Sequence, residues 1–114
     1  MAQQLGEVNQ SSTHLGLLAA LPVTEAATTS RVVVNNPLIR VVYFAFDTGE
    51  LLTDHSSPRA VVVQVFSGSI RFRYADEEST MGPGDVIYLA PGMVHSLVAE
   101  EPSHLSLVMI DQNV

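Results

Sequence analysis

Two histidines stand at turns between apolar runs, His55 in TDHSSPRAVVV and His95 in LAPGMVHSL. Residues of that type in those surroundings can do three kinds of chemistry. A pair of imidazoles can hold a divalent transition metal: zinc, iron, nickel, copper or manganese. Either ring can serve as a general base, because imidazole exchanges its proton near neutral pH. Both can also be polar contacts for a small molecule in an otherwise apolar pocket.

Composition closes other routes. There is no cysteine, which excludes a thiolate nucleophile, a disulfide and a sulfur-ligated metal. There is no lysine either, so no Schiff base and no phosphate-loop lysine. The cations are Arg31, Arg40, Arg59, Arg71 and Arg73, against 12 acidic residues and a net charge of −7. Such a balance argues against nucleic acid and against an anionic membrane surface as partners. With 114 residues, 46% of them hydrophobic and 15% charged, one folded domain is expected. The stretch LGLLAALPV has the texture of a signal-peptide core, but no basic residue precedes it before Arg31. No apolar run reaches membrane-spanning length, and the expected location is the cytoplasm.

The elements that must position the histidines are short. RVVV ends at NNP, LIRVVYFAF at DTGE, AVVVQVF at SGS and SIRFRYA at DEES. DVIYLA lies between GPGD and PGM, and HLSLVMI finishes the chain. β-branched and aromatic runs with turn residues at regular intervals predict an all-β antiparallel sandwich or barrel. No amphipathic helical stretch separates them, so parallel βαβ units are not expected. Residues 1–30 read as an N-terminal arm and connector, mobile over 1–12, with one or two helical turns over 14–21 stopped at Pro22. Residues 31–114 read as the barrel. Arg71 and Arg73 alternate with Ile70, Phe72 and Tyr74, which predicts a solvated face. Asp76, Glu77 and Glu78 read as a charged hairpin turn. Met81, Met93 and Met109 read as packing residues, and His14 as a surface or interface residue.

The stretches Gly49–Gly68 and Gly84–His95 resemble the two signature motifs of the cupin superfamily. Gly49, His55 and Gly68 match the first motif in type and spacing, while Ser57 and Val61 stand where that family has a second histidine and a glutamate. Gly84, Asp85, Gly92 and His95 match the second, with Ala90 and Pro91 interchanged. The resemblance covers residues 38–110. It implies an antiparallel jelly-roll barrel with a short helical or irregular N-terminal segment. It also implies a site with four metal-ligand positions, of which His55 and His95 retain two. Small cupins form two-fold dimers, so a homodimer through RVVV and LIRVVYFAF is expected, with the N-terminal segment ordered against the partner.

If residues 55–65 are extended, His55, Ser57, Val61, Val63 and Val65 share one face. The expected ligand pocket is therefore His55, Ser57, Val61, Val63, Tyr88, Met93 and His95, with His55 and His95 as the metal ligands if a metal is held. Asp54 and Gln64 have the wrong parity to complete a metal site with His55, and His104 lies on another strand. The function expected is small-molecule binding or sensing. The alternatives are a metal-dependent oxygenase or isomerase, and a structural or interaction protein with a vestigial pocket.

Overall fold

The computed structural model describes residues 6–112; residues 1–5 of the expected arm and the last two of the expected barrel lie outside them. One short helix, α1 (Leu17–Ala20), precedes nine strands: β1 (Thr28–Asn35), β2 (Ile39–Phe46), β3 (Leu51–His55), β4 (Ala60–Ser67), β5 (Ile70–Tyr74), β6 (Glu77–Met81), β7 (Val86–Leu89), β8 (His95–Ala99) and β9 (Ser103–Ile110). A five-stranded sheet runs β1-β2-β9-β4-β7 and a four-stranded sheet runs β3-β8-β5-β6, with antiparallel pairing in both. This is the expected jelly-roll barrel. The first strand begins at Thr28, three residues before the boundary read from the sequence.

The six apolar runs are β1, β2, β4, β5, β7 and β9. The other three strands, β3, β6 and β8, are less apolar, and one corrects the sequence reading. Glu77 and Glu78 belong to β6, not to a turn. The turn is the pair Ala75 and Asp76, with φ of 49° and 63°, the backbone of a two-residue hairpin loop. β6 is an edge strand, where exposed charge is tolerated and discourages further pairing. Arg71 and Arg73 are exposed as expected, and Arg71 Nε lies 3.3 Å from Glu78 Oε1.

The sheets close on Phe46, Val61, Val63, Val65, Ile70, Phe72, Met81, Leu89, Leu97, Ala99, Leu105 and Leu107. Packing is tightest at the β4–β5 corner. Gly68 has φ +81°, and a Cβ built on it would run into Ser103 Oγ and the Pro102 carbonyl oxygen. Only glycine fits there. The N-terminal segment is tied to its own barrel: Gly6 N–H donates to the Asn35 carbonyl (2.7 Å) and His104 Nε2 to the Leu21 carbonyl (2.6 Å). Among the described residues no helix is long and apolar enough to cross a membrane.

Candidate functional site

A β-bulge brings the two histidines together. In the β3–β8 pair Leu52 faces Leu97 and His55 faces His95, so three steps on β3 match two on β8. The extra residue flips the pleat. Leu52 points into the barrel, and without the bulge Asp54 would point inward next and His55 outward. Asp54 has φ 28°, unusual for any residue but glycine and least costly for Asp or Asn. His55 therefore joins His95 on the inner side, their ring centroids 5.9 Å apart and nearly perpendicular. The loops on either side are clamped by the Gly92 N–H, which donates to the Ser57 carbonyl at 2.7 Å.

His95 is buried and His55 is exposed. The His95 ring stacks on Phe72, with centroids 5.6 Å apart and planes 11° from parallel. Its Nδ1 lies 3.1 Å from the Met93 carbonyl oxygen. A carbonyl can only accept, so Nδ1 carries the proton and Nε2 of the neutral ring is a bare lone pair. That Nε2 is buried with no hydrogen-bond partner among the described residues. A buried acceptor without a donor costs free energy unless something comes to meet it.

Beside His55 the barrel opens into a groove of about 410 Å³. Its floor is Val32, Val42, Phe44, Leu107 and Met109, and its polar groups are Ser30, Arg40, His55, Ser57 and Arg59. The inner face of β2 carries Arg40, Val42 and Phe44, opposite Met109, Leu107 and Leu105 of β9. Ser57 Oγ accepts the Arg59 backbone N–H at 3.1 Å, which shapes the loop that leads into β4.

Several expected site residues fall elsewhere. Residues 56–59 are not extended: the chain leaves the four-stranded sheet after His55 and enters the five-stranded one at Ala60. His55 and Val61 thus lie on different sheets, not on one face of one strand. Val61 and Val63 are sealed in the core at 3% and 0% exposure and do not line the groove. Tyr88 is 60% exposed, because Leu89 and Ile87 take the inner positions of β7 and leave Tyr88 on the outer side. Met93 packs against the core and acts on the site through its carbonyl. Of the groove residues the sequence reading had His55 and Ser57 alone; it missed the apolar floor and the two cations, Arg40 and Arg59.

The donor set does not fit a metal. Ser57 and Val61 replace two of the four ligands that the cupin motif supplies, and no group of three or more His, Asp or Glu among the described residues could hold an ion. His104 faces away, with Nδ1 2.8 Å from Ser67 Oγ and Nε2 on the Leu21 carbonyl. It pairs with Ala45 and Ser67, on the outer side of the sheet whose inner side carries Leu105 and Leu107. Gln64, opposite Ser106, is on that outer side as well. Asp54 is exposed. Two guanidiniums in the groove add charge that opposes a divalent cation.

Comparison with known proteins places this geometry. The family model described as AraC-like ligand binding domain matches residues 40–113. The chain belongs to that family. No curated protein matches the chain. Among solved structures, a conserved protein of unknown function from Streptococcus pyogenes superposes over 100% of both chains, with TM-score 0.83 and 23% identity. A cupin superfamily protein from Desulfitobacterium hafniense covers 95% of this chain and 98% of its own, with TM-score 0.81 and 15% identity. A mutant of salicylate 1,2-dioxygenase from Pseudoaminobacter salicylatoxidans matches 81% of this chain but only 29% of its own, with TM-score 0.69 and 21% identity. At these identities the likeness is one of fold: the AraC-like domain is a cupin barrel.

Proposed function

We propose that this protein is a small-molecule binding or sensing module whose ligand lies in the groove between the two sheets. The observation that carries this reading is the groove itself. It has the volume of an organic-ligand site, an apolar floor, and polar groups that converge from β2 and the loop after β3. Membership of an AraC-like ligand binding family supports the same reading. The test is a fragment titration of ¹⁵N-labelled protein followed by backbone amide shifts. Shifts should cluster on β2, β9 and residues 55–59, and Met109→Trp, which fills the floor, should abolish them while the fold persists. Shifts confined to the outer faces, or indifferent to Met109→Trp, would overturn it.

The open groove gives the vestigial-pocket reading little support. A metal-dependent oxygenase or isomerase has one observation in its favour, the partnerless Nε2 of His95 beside His55. That reading requires near-stoichiometric transition metal in untagged protein purified without chelator, lost in His55→Ala. Elemental analysis decides it, and we expect traces only.

We take the working form to be a cytoplasmic homodimer. One row of side chains crosses the outer face of the five-stranded sheet: Val34, Val41, Val108, Val62 and Tyr88. The valines are half-buried and Tyr88 is exposed, a continuous apolar stripe of the kind that marks an interface. The lack of cysteine suits a reducing compartment. Light scattering at micromolar concentration should give twice the chain mass, and a monomer would sink the dimer.

A further inference from the structure

Two of the five arginines line the groove, and among the described residues no carboxylate does. We propose that the ligand is an organic acid, its carboxylate held by Arg40 and Arg59 and its apolar body laid on Val42, Phe44, Leu107 and Met109. This rests on the groove being the ligand site.

The pattern of pairing is the reason. The chain has 12 acidic side chains to 5 arginines, so a guanidinium placed without regard to charge has many carboxylates to find. Arg71 finds Glu78, both side chains about half-exposed, in the one ion pair among the described residues. Among the described residues Arg40 and Arg59, both half-buried, have no such partner. Arg40 is the second residue of β2. It shares the inner face of β2 with Val42 and Phe44, directly opposite Met109. Drawing a guanidinium partly out of water beside apolar side chains is unfavourable unless an anion meets it.

The same layout selects the class of anion. Guanidinium is a planar fork that matches the two oxygens of a carboxylate. The rest of the floor is hydrocarbon and aromatic, which suits a ligand with an apolar body better than a bare inorganic ion. Arg40 lies on β2 and Arg59 leads into β4, with β9 between them. Two strand spacings, about 10 Å, separate Arg40 from Val61 of β4, and Arg59 lies two residues before Val61, a gap that two long side chains can close on one ligand. His55 and Ser57 stand on the same rim and can take a second polar group.

The test is a matched pair of ligand sets on the full chain, read by amide shifts: benzoate, phenylacetate and 3-phenylpropionate against their uncharged amides, with inorganic phosphate as a third arm. Each is run on the wild type, Arg40→Gln, Arg59→Gln and the control Arg73→Gln, with thermal melts to verify folding. The acids should bind in the groove, the amides about tenfold more weakly or worse, and each groove variant should lose about tenfold, as expected when a charge-assisted hydrogen bond goes. Arg73→Gln should bind as wild type. Amides that bind as well as the acids, with no loss in the groove variants, would overturn the anion while leaving the groove as the binding site. Phosphate that competes as well as the acids would overturn the carboxylate in favour of phosphate. No groove shift from any probe at millimolar concentration would overturn both readings together.

Discussion

His95 is the buried polar residue whose removal should make the empty protein more stable. Its Nε2 has no partner, and an unmet buried acceptor costs about 1–3 kcal/mol. Replacing the ring by leucine removes that cost and keeps an apolar group of similar size in the core. Two favourable contacts go with it. Without the Nδ1 donor the Met93 carbonyl is left unmet, which costs about 2 kcal/mol. The stack on Phe72 is worth about 0.5–1 kcal/mol beyond its area. Burying leucine in place of imidazole returns roughly 1–2 kcal/mol of apolar transfer. The balance for His95→Leu is a gain of about 1 kcal/mol, or about 4 °C in Tm for a domain of this length.

Urea unfolding followed by circular dichroism measures this directly, with an unchanged slope as the check that the same transition is observed. His55→Ala is the internal control. That ring is exposed, so its loss should move stability by less than about 0.5 kcal/mol. A loss of 1 kcal/mol or more in His95→Leu would refute the reasoning, because it would mean that Nε2 is satisfied and that the histidine is there for the fold. A gain identifies a residue that lowers stability, as groups placed for function do.

Three further outcomes separate backbone, steric and electrostatic effects. Gly68→Ala should cost about 3 kcal/mol, since positive φ and the collision with Ser103 and Pro102 add, whereas Gly49→Ala, with φ +84° and open space around it, should cost about 1 kcal/mol; chemical denaturation of both distinguishes them. Asp47 accepts the Ala26 and Thr48 backbone N–H groups at 2.7 and 2.8 Å, and these bonds hold its carboxyl below the ordinary 3.8. A lowered acid contributes stability that is complete above 3.8 and fades as pH falls through the folded value, so the Ala26 and Thr48 amide signals should shift in that acid range and not in Asp47→Ala. Deleting Asp54 removes the extra residue, so His55 then stands two positions after Leu52 and should still face His95 across a regular ladder; contacts between the two imidazoles should persist in the NMR spectrum, and their loss would refute the bulge.

The strands and the histidine pair were legible for different reasons. Runs such as AVVVQVF announce themselves because β-branched residues bounded by turn signals have few other places to go, and β4 follows that run almost residue for residue. His55 and His95 were legible from motif spacing, which encodes a turn geometry without requiring it to be seen. The company they keep was not. Period-two counting from His55 to Val65 assumes one strand, and the chain changes sheets at residues 56–59, so the valines credited to the pocket belong to the core. His104 meets Ser67 and Leu21, 37 and 83 positions away, and no local pattern records such partners.

Arg40 is the instructive miss. Both faces of LIRVVYFAF are apolar: Arg40, Val42, Phe44 and Phe46 line one, Ile39, Val41, Tyr43 and Ala45 the other. A strand apolar on both sides has no alternation to say which way its single charge points. The signal lay in the interruption itself. An arginine on the inner face of a strand must lie either against the core, where it needs a counter-charge, or at an opening, where it meets what enters. With Met109 opposite and no carboxylate on the groove wall among the described residues, the second condition is the one this barrel satisfies.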